Sequence, residues 1–252
     1  MLEFFPNQEP NNLNLSKELA MQDILKIIQE RRSVRMPFDP EHPIAREDLR
    51  QILEAGRWAP TAHNMQNFEI IVVEDKKILE EIGAIKSTVS DIFIQENYRQ
   101  LSFSEEELLH KKVGLLGTMF PPSWRTPGVK PVVEEGRSRS FPVCPTLLIV
   151  LYDPSKRAPA SEGDFLGIIS LGCMMENLWL EASSLGIDFH IVSALASGPV
   201  EKEVKRILAV PEHLKIAFSA RLGHAAAEPP RSLRVRREIE DFSHYNHFGN
   251  KG

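Results

Sequence analysis

Cysteine is scarce: Cys144 and Cys173 are the only two in 252 residues. They form neither a CxxC pair nor a secreted-type framework, so two buried, reduced thiols in a reducing compartment are expected. No apolar run reaches the length of a bilayer span. The first stretch, Met1 to Asn14, is polar, carries Pro6 and Pro10, and lacks a basic region followed by an apolar one, so it does not read as a signal peptide. A cytoplasmic location follows as the expectation. GxGxxG, the P-loop, GxSxG and HExxH are all missing, so no recognisable dinucleotide fingerprint, nucleophile elbow or zinc-protease pair is present. His244 and His247 form an HxxH pair without cysteines or a second histidine pair, and no metal is assigned. There is no excess of positive charge either. The net charge of −5 argues against nucleic acid or an anionic membrane as partner, while leaving room for a local basic pocket.

What remains is an ordinary globular composition, 42% hydrophobic and 26% charged, sufficient for a sizeable core without disulfides. Helical spacing of Met21, Ile24, Leu25 and Ile28 predicts a first helix over Ala20 to Arg31. A second is expected from about Arg46 to Gly56, with Leu49, Ile52 and Leu53 on its apolar face. Ala59 to Asn67 has no periodicity and reads as a loop leading into a buried strand, Phe68 to Val73. Residues 77 to 118 read as mostly helical but irregular. Leu147 to Tyr152 is a second buried strand. Asp164 to Leu185 predicts a long helix, apolar nearly all round, which must be covered on every side, a second subunit being one candidate cover. Strands at Phe189 to Val192 and Lys215 to Leu222 flank a helix near Val200 to Leu208. The pattern is mixed α and β, a single domain over 1–252 with no repeat. A segment of about 99–145, rich in proline and carrying Phe120, Trp124 and Phe141, is expected to be an inserted lid whose aromatics cover an aromatic acceptor or else pack into the core or a dimer interface.

Three segments carry chemistry. Arg31-Arg32-Ser33-Val34-Arg35 gathers three guanidinium groups and a hydroxyl with no carboxylate among them, a donor set suited to a phosphate. A solvated basic helix end explains the same residues about equally well. Ala59 to Phe68 offers Thr61, Asn64 and Gln66 from a loop stiffened by Pro60, suited to polyhydroxyl or heterocyclic edges, or alternatively to bonding its own backbone. The tail Arg231-Ser-Leu-Arg234-Val-Arg236-Arg237 is either an exposed basic stretch or the far wall of an anion site.

In this order the segments resemble the nitroreductase superfamily of FMN enzymes, from about Met21 to Gly249. R-R-S-x-R followed by P-[ST]-x-x-N-x-Q before a strand is that family's N-terminal signature. Its ending, R-R-x-[LI]-E-x-x-x-H-[WY]-N-x-[FY]-G, reads here as Arg236 through Gly249. The resemblance implies an α+β nitroreductase-like fold: a central, mostly antiparallel sheet flanked by helices, in an interlocked homodimer with FMN at the subunit interface. By position, Arg31, Arg32, Ser33 and Arg35 would hold the phosphate, ribityl chain and pyrimidine edge. Pro60, Thr61, Asn64 and Gln66 would reach the flavin from the other subunit, and Arg236 with Arg234 would complete the phosphate site. Ser193, Ala194 and Leu195 occupy the place where family members aim a backbone N–H at flavin N5. Gln66-Asn67-Phe68 stands where the family often has Gln-Pro-Trp.

The implied activity is an FMN-dependent oxidoreductase that uses NADH or NADPH in a ping-pong cycle to reduce electron-poor small molecules such as nitroaromatics or quinones. Arg35 is the candidate for stabilising an anionic reduced flavin, and no side-chain acid is assigned. A reductive dehalogenase-like or other specialised flavin reductase on the same scaffold is the alternative enzyme. A flavin-binding sensor or carrier without turnover is the alternative outside catalysis.

Overall fold

The structure, a computed structural model, describes residues 24–86, 106–107, 110, 144–159, 161, 163–229 and 234–252. The expected lid over 99–145 therefore lies outside the described residues, apart from Glu106, Glu107, His110, Cys144 and Pro145. The chain divides into two compact units. One comprises Met1–Ile85 with Phe141–Ala227, the other Lys86–Ser140 with Glu228–Gly252.

The first unit is built on four antiparallel strands: β1 (Glu69–Val73), β2 (Thr146–Tyr152), β3 (Asp188–Ile191) and β4 (Lys215–Gly223), in the order β1-β2-β4-β3. Side chains alternate across a strand, and both faces here are apolar. Leu148, Val150, Phe218, Ala220 and Leu222 form one core on one face, and Leu147, Ile149, Leu151 and Ile216 join a second core on the other. That is why β2 reads as a continuous apolar run instead of an alternating one.

Helix α1 is helical over 24–30. Helix α2 (Arg46–Arg57) has Glu47 and Asp48 in its first turn and Arg57 in its last, charges that complement the helix dipole. Helix α3 (Lys76–Gly83) starts at Asp75, whose side chain accepts hydrogen bonds from the backbone of Lys77 and Ile78. Helix α4 (Phe165–Ser184) and helix α5 (Gly198–Ile207) complete the unit. A Cβ on Gly56 would come within 2.7 Å of Leu178 Cδ2, so glycine is what lets α2 close on α4. The end of α4 is a Schellman turn: Gly186, at φ 70°, donates to Ser183 O, and Ile187 donates to Ala182 O at 2.8 Å. This turn sends the chain directly into β3.

Among the described residues the elements agree with expectation except in three places, and the helical stretch expected over 77–118 lies outside them apart from 77–86, 106–107 and 110. The loop after α2 contains a 3-10 turn, Ala62–Asn64. Cys144 is buried as expected, but Cys173 is only half-buried, because it lies on the outward side of α4. Within the one chain, α4 is not covered all round. Met174, Leu178, Trp179 and Ala182 are buried, while Phe165, Ile168 and Ile169 are 69%, 53% and 46% exposed. By length and composition α4 is apolar enough to cross a bilayer, yet its polar residues are engaged with protein. Ser170 accepts from Ala62 N, Glu176 pairs with Arg31, Asn177 donates to Ala55 O, and Glu181 accepts from Gln51.

Candidate functional site

The segment Arg31–Arg35 runs extended beside β3. Ser33 makes a parallel bridge to Phe189, and Val34 N donates to Phe189 O at 3.0 Å. A parallel register carries the chain from Arg31 towards Arg35 in the same direction as β3. Arg35 is thereby delivered to the strand end, where a 3-10 turn, Ser193–Ala196, follows at once. The first N–H groups of such a turn have no acceptor within it, so Ser193 and Ala194 present backbone donors there. Leu195 is buried and anchors the turn in the core. The structure therefore brings Arg31, Arg32, Ser33 and Arg35 together with Ser193, Ala194 and Leu195 along one strand.

Alternate side chains of this extended segment have different fates. Val34 is buried, whereas Arg32 and Arg35 are exposed. Arg31 is half-buried: its Nε donates to Glu176 Oε1 at 2.8 Å, and its guanidinium lies 4.3 Å above the Trp179 ring. Trp179 in turn stacks on Phe189 with centroids 5.3 Å apart. The indole Nε1 of Trp179 is buried with no hydrogen-bond partner among the described residues. A buried, unpaired donor costs about 1–3 kcal/mol, and an acceptor oxygen at the edge of this arginine cluster would remove that cost. A cavity of about 170 Å3 is lined by Arg31, Arg32, Glu30, Ser183 and Asp188 among others.

The loop from Pro60 to Gln66 is placed differently. His63, Asn64 and Gln66 all have left-handed backbone, at φ 53°, 54° and 46°, a concentration of strain typical of sites where geometry serves function. The loop holds itself: Asn64 N donates to Thr61 O, Gln66 N to Thr61 Oγ1, and Gln66 Nε2 to Asn64 Oδ1. Its one tether to α4 is Ala62 N to Ser170 Oγ, at 3.0 Å. Pro60, Asn64 and Gln66 are exposed, and Thr61 is half-buried. Asn67, where the resemblance leads one to expect proline, clamps the turn after β2 by donating to Asp153 O and Lys156 O and accepting from Asp153 N. The polar residue thus replaces a rigid ring with three hydrogen bonds.

Ser170, which holds the loop, and Trp179, which holds Arg31, are nine residues apart on α4. At 100° and 1.5 Å per residue they are separated by about 180° around the helix and about 13.5 Å along it. Within one chain the two motifs therefore look out from opposite sides of α4. Arg234 and Arg236 belong to the second unit, where Arg236 donates to Val235 O and a capping box of Glu238 and Asp241 starts the short helix α6 (Ile239–Phe242).

Two residues that sequence reading passed over stand behind Arg35. Arg221, on the central strand β4, is 1% exposed. Its Nε and Nη2 lie 3.1 and 2.7 Å from His190 Nδ1 on β3, and Nη2 also donates to Met36 O. Its guanidinium stacks 4.6 Å from the Phe38 ring. Burial lowers its pKa to about 10, which leaves it cationic at neutral pH. Burial, with Arg221 and then Arg35 close by, pushes His190 down to about 3. The signal in the sequence was an arginine on an inward face of an apolar central strand, a position charged residues rarely take. Arg221 also lines, with Cys144, Leu147, Val192 and Leu195, a cavity of about 730 Å3 on the α3 side of the sheet. Burial raises the Cys144 thiol to about 11 against the pull of Arg221, so it is protonated at neutral pH and is no nucleophile.

Comparison with known proteins matches residues 28–224 to the model of the Nitroreductase family. An Archaeoglobus fulgidus protein provisionally named NADH dehydrogenase/NAD(P)H nitroreductase is 40% identical over 63 residues, 25% of this chain and 35% of that protein. FMN reductase [NAD(P)H] of Bacillus subtilis is 35% identical over 65 residues, 26% of this chain and 25% of the relative. The matches therefore span about a third or less of the length of these relatives. Among solved structures, a Bacteroides fragilis nitroreductase with bound FMN superposes with a TM-score of 0.55 at 23% identity, covering 88% of this chain and 96% of the other. The likeness to that structure extends to the fold.

Proposed function

The chain belongs to the nitroreductase family, and on that footing we propose that it is an FMN-dependent oxidoreductase driven by NADH or NADPH. The observation that carries this reading is the parallel placement of Arg31–Arg35 along β3, which puts Arg35 towards the Ser193–Leu195 turn at one end of the strand and Arg31 towards the other. The donor chemistry suits FMN: guanidinium forks and a hydroxyl for phosphate, a buried indole N–H lacking an acceptor, and turn N–H groups for a heterocycle. FMN, when bound, supplies the redox chemistry, taking electrons from the nicotinamide and passing them to an electron-poor acceptor in a ping-pong cycle.

In this reading Arg31, Arg32 and Ser33 hold the phosphate. Arg35 places positive charge where reduction puts negative charge, a preorganised electrostatic contribution that needs no rearrangement. The Ser193 and Ala194 N–H groups orient the ring. Pro60, Thr61, Asn64 and Gln66 act from a second copy of the chain, since within one chain they face away from Arg31. The apolar outer face of α4 gives that copy its seat, because Phe165, Ile168 and Ile169 would otherwise stay in water. The cytoplasm is the proposed location.

Purification tests this directly. The protein should be yellow, with one FMN per subunit released by acid, and should sediment at twice the 28.6 kDa chain mass. NADPH or NADH should bleach it, and a quinone or nitroaromatic should restore the colour. A colourless protein indifferent to added FMN sinks the reading, and FAD as the released chromophore corrects it. Flavin that bleaches but never recovers with any acceptor would mark a carrier instead of an enzyme.

A further inference from the structure

His190 has no place in the scheme above, yet its surroundings define its chemistry tightly. A guanidinium has only donors. Both Arg221 contacts, 3.1 Å from Nε and 2.7 Å from Nη2, end on His190 Nδ1. That nitrogen must therefore carry the lone pair, and in the neutral ring the proton must sit on Nε2. Among the described residues, the two cations that bear on the ring favour this state. Arg221 on β4 and Arg35 on the motif segment both oppose a positive imidazole. Asp188, two residues earlier on the same face of β3, is committed by its Oδ2 to Ala225 N at 2.9 Å. Cys144, beside Arg221, stays a neutral thiol. Arg221 also holds Met36 O, next to Arg35, so one buried cation fixes both the imidazole and the backbone that presents Arg35.

We propose that His190 is a neutral, single-tautomer hydrogen-bond donor of the cofactor site, its Nε2–H offered beside Arg35 to the pyrimidine edge of the flavin, with Arg221 as the positioning residue that sets the tautomer. This rests on the FMN reading given above. The pairing has a chemical logic. Arg35 contributes charge, which favours the reduced cofactor, whereas a neutral imidazole contributes direction without titrating across the working pH range. Because FMN and riboflavin share the pyrimidine edge, His190 should serve both equally, unlike Arg31 at the phosphate.

Two-bond 1H–15N spectra of histidine-labelled full-length protein, with and without FMN, test the proposal. His190 should show the Nε2–H tautomer, without titration from pH 5 to 8, and its Nε2–H resonance should move when FMN is added. His190→Phe should weaken FMN and riboflavin by the same factor, about twofold to tenfold, the worth of one neutral hydrogen bond. Arg221→Lys should release the tautomer, seen as an Nδ1–H population or a titration near pH 6. An Nδ1–H tautomer or a titration in that range in the unaltered protein overturns the proposal. So does a His190 resonance that stays put while the protein turns yellow, in which case the FMN reading survives alone. Failure to bind any flavin, read from absorbance in the same tubes, overturns both.

Discussion

The two motif regions of the first unit achieve order by opposite means. Arg31–Arg35 borrows it: the backbone is bridged to β3, Arg31 is clamped between Glu176 and Trp179, and Arg221 braces Met36 from behind. The Pro60–Gln66 loop is ordered mainly by itself, through three left-handed residues and internal hydrogen bonds, with one tether to Ser170. The first region is thus held by the sheet, and the second by hydrogen bonds among its own residues. They lie on opposite sides of α4, so a site that uses both needs a second copy of α4 beside the first. The exposed Phe165 and Ile169 lie on the side of that helix away from α2, and the half-exposed Ile168 reaches the cavity that Ser170 also lines, so such a copy would pack over an apolar face continuous with the loop.

The largest effect should come from separating the copies. Ile168→Asp with Ile169→Asp places two charges on the apolar face of α4, and burying them unpaired costs far more than a small interface can return. Sedimentation should show a monomer, and FMN affinity should fall by at least about a hundredfold as both loops are lost together. A folded monomer that keeps its FMN would show that one chain holds a complete site, and would break the comparison. Next in size is Arg31→Ala. It removes charge-assisted hydrogen bonds of about 1.5–3 kcal/mol each, roughly tenfold to over a hundredfold in FMN affinity, with little change for riboflavin. Asn64→Ala should instead weaken both ligands alike and by less. Equal losses of FMN and riboflavin in Arg31→Ala would assign Arg31 to the core and not to the phosphate.

The sheet side should also be the one that acid undoes. His190 has an ordinary pKa of 6.5 and a folded value of about 3. Below pH 6.5 the unfolded chain takes up a proton that the folded one refuses, so stability is fully present above 6.5 and declines as pH falls towards 3. His190→Gln, which keeps an acceptor for Arg221 but cannot titrate, should flatten that decline in melting temperature between pH 7 and 4. An unchanged slope would mean that other groups govern acid unfolding.

Much of this was legible in the sequence, for identifiable reasons. α2 and α4 announced themselves by apolar spacing, β2 by an uninterrupted apolar run, and the arginine segment by donors without carboxylates. What the residues could not show was the side of α4 on which each motif sits, because that depends on which side chain, Ser170 or Trp179, happens to receive it. Arg31 looked like an uncommitted phosphate donor, while its Nε belongs to Glu176, 145 positions away. His190 and Arg221 were invisible as a pair because antiparallel register, not proximity in sequence, puts them opposite each other. Asn67 looked like a departure from pattern and proved to be a clamp.

The smallest predicted effect probes the self-held loop. His63, at φ 53° and ψ 26°, is strained there, at a cost of about 1–2 kcal/mol for a residue with a Cβ. Glycine takes the same backbone without penalty but loses more conformational freedom on folding, about 0.5–1 kcal/mol. The balance favours His63→Gly by a few tenths to about 1 kcal/mol, a rise in melting temperature of about 1–4 °C for a chain of this size. If strain preorganises the loop, the same substitution should loosen Asn64 and Gln66 and weaken flavin binding by about twofold to fivefold, a gain in stability set against a loss in function. Asn64→Gly should raise stability less, since asparagine already tolerates left-handed backbone. Calorimetry and a flavin titration on the same preparations separate the possibilities. A variant that melts lower shows that the His63 side chain makes a stabilising contact. One that melts higher and binds flavin as before shows that the left-handed turn is only a way round a corner.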